Sequence, residues 1–399
     1  MTKVIVIIGG GAAGFFGAIT SAKNNPGAQV ILLEKTRSLL SKVKVSGGGR
    51  CNVTHACFEP SELVKNYPRG SKELLGPFHQ FQPTHTIEWF EERGVALKTE
   101  EDGRMFPITD KSETIIACLQ QEAKKTGVEI RLQQSITKIE KTDTGFVIHL
   151  NAGELLACSK ILLATGSSKE GYTMAESLGH TLIPPVPSLF TFNVPDSPLV
   201  ELSGVSVNSA LLKIEGTNLT QQGSLLITHW GFSGPAALKL SAWGARTLYD
   251  MNYQATLLIN WLPEETRESL QAHLLQLKED NTPLLNPPSI PKQLWKLLLI
   301  KAHIDPYKKI KDLTNKQLLQ FAELLQKDSY KIDGKTTYKQ EFVICGGVAL
   351  NEVNFKTMES KKCPGLYFAG EILNIDGVTG GFNFQNAWTT ASIAGSNLF

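Results

Sequence analysis

Gly9, Gly11 and Gly14 stand in the spacing G-x-G-x-x-G within Gly9-Gly10-Gly11-Ala12-Ala13-Gly14. Between a strand and a helix, that spacing makes a pyrophosphate cradle. Gly9 allows the tight turn, Gly11 lets the backbone approach phosphate, and Gly14 lets the helix pack closely on the sheet. Ala12 and Ala13 then open a helix whose free N–H groups and partial positive charge face the phosphates. Glu34 follows Gly9 by twenty-five residues, at the end of a second apolar run. An acid there accepts hydrogen bonds from the adenosine ribose hydroxyls and disfavours a 2′-phosphate, which suits FAD or NAD better than NADP. The plainer reading of Glu34 is a surface acid beside Lys35.

Three more segments have the same character. In Lys42-Val43-Lys44-Val45-Ser46-Gly47-Gly48-Gly49-Arg50-Cys51-Asn52, three glycines flanked by cations, a hydroxyl and an amide suit an anion-binding nest. Ala164-Thr165-Gly166 closes a short apolar strand. Tyr367-Phe368-Ala369-Gly370-Glu371 ends another strand at an acid, and Asp376-Gly377 follows. Thr379-Gly380-Gly381-Phe382-Asn383-Phe384-Gln385 then opens a helix. A helix start of this kind can face a carbonyl or phosphate oxygen.

The elements that must hold these residues follow from hydrophobic pattern. Lys3–Ile8 and Gln29–Glu34 read as buried parallel strands flanking a helix over 12–24, a βαβ unit. Residues 37–58 read as a glycine-rich loop. Residues 60–94 read as helical pieces broken by prolines, with Thr84 capping one of them. A helix over 111–126 precedes strands at 128–132, 136–141, 146–150 and 160–164. The pattern shifts near Leu182, where prolines crowd. Antiparallel strands at 205–214 and 224–228 follow, then helices at 264–279, 291–304 and 314–327, with a proline run at 283–291 between them. The first pattern returns at Phe342–Ile344 and ends in a helix over 386–397. The organisation is therefore a discontinuous domain, 1–184 with 341–399, and an inserted unit over 185–340.

The chain has 399 residues, 42% hydrophobic and 20% charged, which is a globular mixture. Lys+Arg is 40 against 38 Asp+Glu, a net charge of +2 that gives no overall attraction to nucleic acid or anionic lipid. Six cysteines without C-x-x-C or zinc spacing read as thiols of a reducing compartment. No apolar run has the length of a membrane span. A cytoplasmic protein is expected.

With these motifs in place, the chain resembles the two-dinucleotide-binding-domain flavoproteins. More closely it resembles the HI0933-like (YhiN/BaiN-type) FAD-dependent oxidoreductases. The resemblance is carried by VIIGGGAAG (6–14), KVSGGGRCNVT (44–54), DGRMFPIT (102–109), LLITHWGFSGPAALKLS (225–241), ICGGV (344–348) and YFAGEILNIDGVTGGFNFQNA (367–387). One departure is the short connection after Ala164-Thr165-Gly166, where Ser167-Ser168 leads at once to Glu170-Gly171-Tyr172.

The resemblance implies an α/β fold: a Rossmann-like FAD-binding domain in two sequence pieces, with an inserted β-barrel-like domain and a helical segment. The implied cofactor contacts are Gly9, Gly11, Ala12, Ala13, Gly14, Glu34, Lys35, Lys44, Ser46, Gly47, Gly48, Gly49, Arg50, Cys51 and Asn52. Ala164, Thr165, Gly166, Gly370, Glu371, Asp376, Gly380, Gly381, Phe382, Asn383 and Gln385 complete the set. The flavin carries the redox chemistry and the protein orients and tunes it.

Arg50, Arg104 and His229 are the catalytic candidates. Arg104 reads equally as a substrate clamp or a structural ion pair. His229 and Trp230 read as groups facing the flavin across a domain gap, or as ordinary packing. Cys51 reads as a small packed side chain, since no base is at hand to form a thiolate. Lys308, Lys309 and Lys311 read as a solvated basic face. No second G-x-G-x-x-G follows a strand, so NADH or NADPH is expected only as a transient reductant.

The leading expectation is hydride transfer through flavin N5 to or from a small organic substrate, with an enone-type C=C reductase as one form. No nucleic acid or membrane partner is expected. An RNA-modifying flavoprotein and a non-catalytic redox sensor are the alternatives.

Overall fold

In a computed structural model, residues 3–399 are described apart from 152, 196, 280–283, 285–288 and 337–342. Most of the expected proline run, Pro283, Pro287 and Pro288, lies outside the described residues, as does Phe342. The chain divides into two compact units. The first is Met1–Pro187 with Lys339–Phe399, and the second is Ser188–Tyr338.

The first unit is built on a seven-stranded sheet. β1 (Val4–Ile8) leads through α1 (Ala12–Asn24) to β2 (Gln29–Leu33). α2 (Ser41–Gly49) follows, then β3 (Glu129–Arg131), β4 (Lys160–Leu163), β5 (Leu366–Phe368) and the last helix, α3 (Phe382–Asn397). The parallel core runs β5-β4-β1-β2-β3, with Ile5 opposite Val30 on one side and Lys160 on the other. Two short strands, Val353–Asn354 and Glu359–Ser360, extend it in antiparallel sense beside β5. Ile5–Ile8, Val30–Leu33 and Ile161–Leu163 are buried, as a sheet covered on both faces requires. Gly17 in α1 has no room for a side chain, because a Cβ would sit 2.5 Å from Leu162 Cδ2.

In the second unit seven strands pair antiparallel. They run from Asp328–Asp333 through Gln254–Asn260, Ser206–Ile214, Thr220–Ile227, Gly231–Ser233 and Thr191–Asn193 to Lys335–Thr336. Gly334 alone joins the first and last strands of that order, so the sheet curls back on itself. Helices Arg267–Glu279, Lys292–Lys301 and Asn315–Gln326 share its core through Leu274, Leu294, Leu298 and Phe321.

Local departures from the sequence reading have identifiable causes. The stretch 37–58 is not all loop: α2 begins at Ser41 and breaks only where Ser46 turns to ψ 146°. The helix expected to be capped by Thr84 starts at Pro83. Gln82 is its cap, in a reciprocal capping box with His85. α3 begins four residues earlier than expected, because Gly381, at φ 92°, ends the preceding turn.

Candidate functional site

The cradle forms where β1 turns into α1. Gly9 takes φ 112°, and a Cβ there would lie 2.5 Å from the Ala164 carbonyl oxygen. At Gly14 a Cβ would lie 1.8 Å from the Gly9 oxygen. Around Gly11, by contrast, a Cβ would meet nothing within 4 Å. No side chain caps α1, so its first amides are not taken up by a capping side chain. Glu34 follows β2 directly. Its Oε2 accepts from the Gly10 amide at 2.8 Å and its Oε1 from the Thr36 amide at 2.8 Å. Two backbone donors therefore aim the carboxylate, and its remaining lone pairs can accept ribose hydroxyls.

The second wall is the broken end of α2. Gly47, Gly48, Gly49 and Cys51 all have positive φ, and Cβ atoms at Gly48 and Gly49 would meet nothing within 4 Å. The loop closes through the Cys51 amide on the Ser46 oxygen at 3.0 Å. Cys51 is fully buried, and burial pushes its thiol up to about 12, so no thiolate forms there near neutral pH. Asn52, with its amide oriented to satisfy both ends, accepts from the Gly381 amide at 3.0 Å and donates to the Thr54 oxygen at 3.0 Å. It ties this loop to the start of α3.

Arg50 and Arg104 share one counterion. Arg50 Nη1 donates to Glu100 Oε1 at 2.6 Å, and Arg104 Nη2 donates to Glu100 Oε2 at 3.0 Å. Arg50 also stacks 4.0 Å over the Phe106 ring. The Glu100 hydrogen bond raises the Arg50 pKa further. Arg104 is bound to Asp102 as well, at 2.7 Å. Lys35 pairs with Glu170 at 2.9 Å, and Lys44 is exposed.

The third wall comes from the C-terminal piece. Gly370 donates its amide to Thr390 Oγ1 at 2.9 Å, and Glu371 follows it. Lys42 Nζ lies 2.7 Å from Glu371 Oε2 and 3.4 Å from Ser167 Oγ. Asp376 is fully buried against Arg69. Asn383 brackets Gly377, accepting from its amide at 2.9 Å and donating to its oxygen at 3.0 Å. Gln385 is spent on Thr54, Thr86 and Thr389. The side chains of Asp376, Asn383 and Gln385 thus hold the loop, and the backbone of Asp376 and Gln385 is engaged as well, by Arg69 and by the Gly381 oxygen. Asn386, in the same helix, is fully buried with neither amide atom partnered. Buried amides of this kind are satisfied by a ligand or an ordered water.

Lys42, Arg69 and Tyr67, whose hydroxyl donates to the Phe382 oxygen at 2.6 Å, were not singled out as site residues from the sequence. Lys42 had a signal, its place in the cationic run before the glycines. Tyr67 and Arg69 had none. His229 and Trp230 sit exposed on a turn of the second unit, Trp230 at 59%. Among the described residues no cluster of acids, histidines or cysteines could hold a metal. None of their helices is long and apolar enough to cross a membrane.

The open cradle at Gly11, the aimed Glu34 carboxylate and the left-handed glycine run fit the adenosine diphosphate half of FAD. Fold and cradle together define an FAD-dependent oxidoreductase with a Rossmann-type dinucleotide-binding domain. The chain belongs to the HI0933-like protein Rossmann domain family, whose sequence profile matches residues 3–397. It is 31% identical over 406 residues to the ribosomal RNA dihydrouridine synthase of Escherichia coli strain K12, covering 98% of this chain and 97% of that protein. It is 29% identical over 405 residues to the 3-dehydro-bile acid delta(4,6)-reductase of Clostridium scindens, covering 98% of each. The structure of 3-ketosteroid delta1-dehydrogenase from Sterolibacterium denitrificans shares the fold. Its TM-score is 0.53 at 11% identity, with 100% of this chain and 99% of that one covered.

Proposed function

We propose that the protein reduces a carbon–carbon double bond conjugated to a carbonyl group. What supports this reading is that two relatives aligned over nearly the whole chain have names that meet in one chemistry. Dihydrouridine is uridine saturated at C5–C6, a bond conjugated to the C4 carbonyl. A delta-4 bond in a 3-oxo steroid is likewise an enone. Either substrate takes a hydride at the β carbon and a proton at the α carbon.

When bound, FAD supplies the hydride at N5. This chain's own residues would hold it: the α1 amides and Lys42 at the pyrophosphate, Glu34 at the ribose, and Glu371 with the first amides of α3 further along. NADH or NADPH would serve as a visiting reductant, in keeping with the single G-x-G-x-x-G.

The substrate we place first is the uracil ring within RNA, after the relative at 31% identity. A steroid-like enone is the second reading, after the relative at 29%. The test is anaerobic turnover of the FAD-loaded protein with NADH or NADPH. It is given an RNA transcript in one vessel and a conjugated 3-oxosteroid in another. Uridine gaining two hydrogens, read by mass spectrometry of the digested RNA, supports the first reading. Loss of the enone absorbance supports the second. A flavin that bleaches with NAD(P)H while neither substrate is saturated would count against both.

A further inference from the structure

We infer that the second unit carries a docking surface for the sugar–phosphate backbone of RNA, formed by the exposed lysines of the helix Lys292–Lys301 and by the groove along the strand Asp328–Asp333. This rests on the RNA reading above.

Charge is the first observation. From Pro291 to Thr336 the chain holds ten lysines against five Asp and Glu residues, although the whole chain is only +2. The remainder of the chain is therefore net acidic, and the basic surplus is concentrated in one segment. One of the five acids is withdrawn from the surface. Asp328 is fully buried and receives Lys301, the Tyr330 hydroxyl and the Trp261 indole N–H.

Placement is the second. Lys292, Lys296 and Ile300 recur at four-residue spacing along their helix, while Leu294, Trp295, Leu298 and Leu299 bury its other side. Lys296 Nζ donates to the Tyr307 hydroxyl at 2.8 Å and lies 5.0 Å from the centre of that ring. Tyr307 is 74% exposed, so an ammonium and an aromatic face are offered side by side. Phosphate charge and base stacking are what single-stranded RNA asks of a surface.

A cavity is the third. A groove of about 630 Å³ is lined by Lys301 and Lys331, by the hydroxyl-bearing Ser197, Thr256 and Ser329, and by apolar Val194 and Ile332, among others. Asp333 at its edge is engaged by Gln254 at 3.2 Å. Because Asp328 holds Lys301 in place, less side-chain entropy is lost when a phosphate binds there. A neutral enone has no use for exposed ammonium groups, whereas a phosphodiester backbone does.

The experiment uses the FAD-loaded full chain and a fluorescein-labelled single-stranded RNA of mixed sequence, read by anisotropy over a salt series. The groove variant combines Lys331→Glu, in the groove lining, with Lys296→Glu, on the helix against Tyr307. Lys301 is left alone because it neutralises Asp328. A charge-matched control changes Lys124→Glu and Lys356→Glu, exposed positions in the first unit. Flavin absorbance and thermal midpoint verify the fold of each. We expect the groove variant to bind RNA at least tenfold more weakly, with the slope of log Kd against log salt reduced by about 1.4, or ~0.7 for each lost phosphate contact. The control should change by less than twofold. RNA binding that is absent in the wild type, or equal in wild type and groove variant, overturns the proposal. Mass analysis of the RNA after turnover separates the two claims. RNA held by the groove yet never reduced leaves the groove standing and removes the substrate reading. Uridine reduced by the groove variant with an unchanged KM does the reverse.

Discussion

Lys42 Nζ stands 2.7 Å from Glu371 Oε2, joining residues 329 positions apart in the chain. One comes from the cationic run before the glycine loop and the other from the C-terminal strand end. The pair spans two walls of the cradle, and a pyrophosphate placed between those walls would compete with Glu371 for the ammonium. We expect Lys42→Gln to weaken FAD binding by roughly tenfold or more, the range of a lost charge-assisted hydrogen bond. Riboflavin, which has no phosphate, should bind wild type and variant alike. Fluorescence titration of the apoprotein with FAD and with riboflavin measures both. Equal loss for the two ligands would place Lys42 elsewhere.

The glycines of the cradle separate folding from binding. A Cβ at Gly14 would fall 1.8 Å from the Gly9 oxygen, whereas one at Gly11 would meet nothing within 4 Å. Gly14→Ala should therefore express poorly or melt several degrees lower. Gly11→Ala should keep the apoprotein midpoint within about a degree and lose FAD. Thermal denaturation of the apo forms, paired with flavin absorbance after reconstitution, distinguishes them. A Gly11→Ala protein with full FAD occupancy would show that the pyrophosphate lies elsewhere.

Cys51 should be chemically silent despite its place in the loop. It is fully buried with its thiol pushed up to about 12, while Cys57 is partly exposed. Native protein treated with iodoacetamide at pH 8 should carry label on Cys57 before Cys51, as read by peptide mass spectrometry. Cys51→Ala should retain reduction of the flavin by its donor. Rapid labelling of Cys51 would reopen a thiol role.

Acid should weaken the fold through one buried cluster. His180 Nδ1 lies 3.1 Å from Glu352 Oε2 and its Nε2 lies 2.8 Å from Ser360 Oγ. Burial lowers the His180 pKa below its ordinary 6.5, and neighbouring Glu352 only partly opposes this. The unfolded chain therefore takes up a proton near pH 6.5 that the folded chain refuses, and stability falls as pH drops below that value. Glu352 is held at about 2, against the cost of burial, by hydrogen bonds from Lys362 and Thr181. Its contribution is complete above pH 4.5 and is lost as pH falls through about 2. Urea midpoints from pH 7 to 5 should decline in the wild type, with one proton contributing at most about 1.4 kcal/mol per pH unit. The slope should be shallower in His180→Asn, and an equal slope would clear His180 of this role.

The backbone geometry of the candidate cradle was legible in the chain because it is local. Gly9, Gly11 and Gly14 act through backbone conformation and close approach within one strand–helix turn. Glu34 is delivered by the next strand at a distance that the βαβ geometry dictates. Buried parallel strands announced themselves as short apolar runs at 4–8, 29–33 and 160–163, since a sheet covered on both faces leaves no polar alternation.

Other features depended on packing between distant segments. Arg50 is bound to Glu100, fifty residues further on, a pairing no spacing rule gives, whereas Arg104, for which an ion pair was one of two readings, is bound to the same Glu100 four residues before it. Asp376 and Gln385 carry the look of ligand groups, but Arg69, Thr54, Thr86 and Thr389 claim their side chains. Lys301 and Lys331 are thirty residues apart in the chain, and only packing brings both to one groove, while Lys296, on the helix that carries Lys301, meets Tyr307 nearby in sequence. By itself the sequence determined the Rossmann-type half-site, because backbone turns and strand periodicity are written within a few residues. The tertiary structure decided which charges are free and which are paired, because an ion pair is set by where two distant elements pack and a one-dimensional pattern carries no such distance.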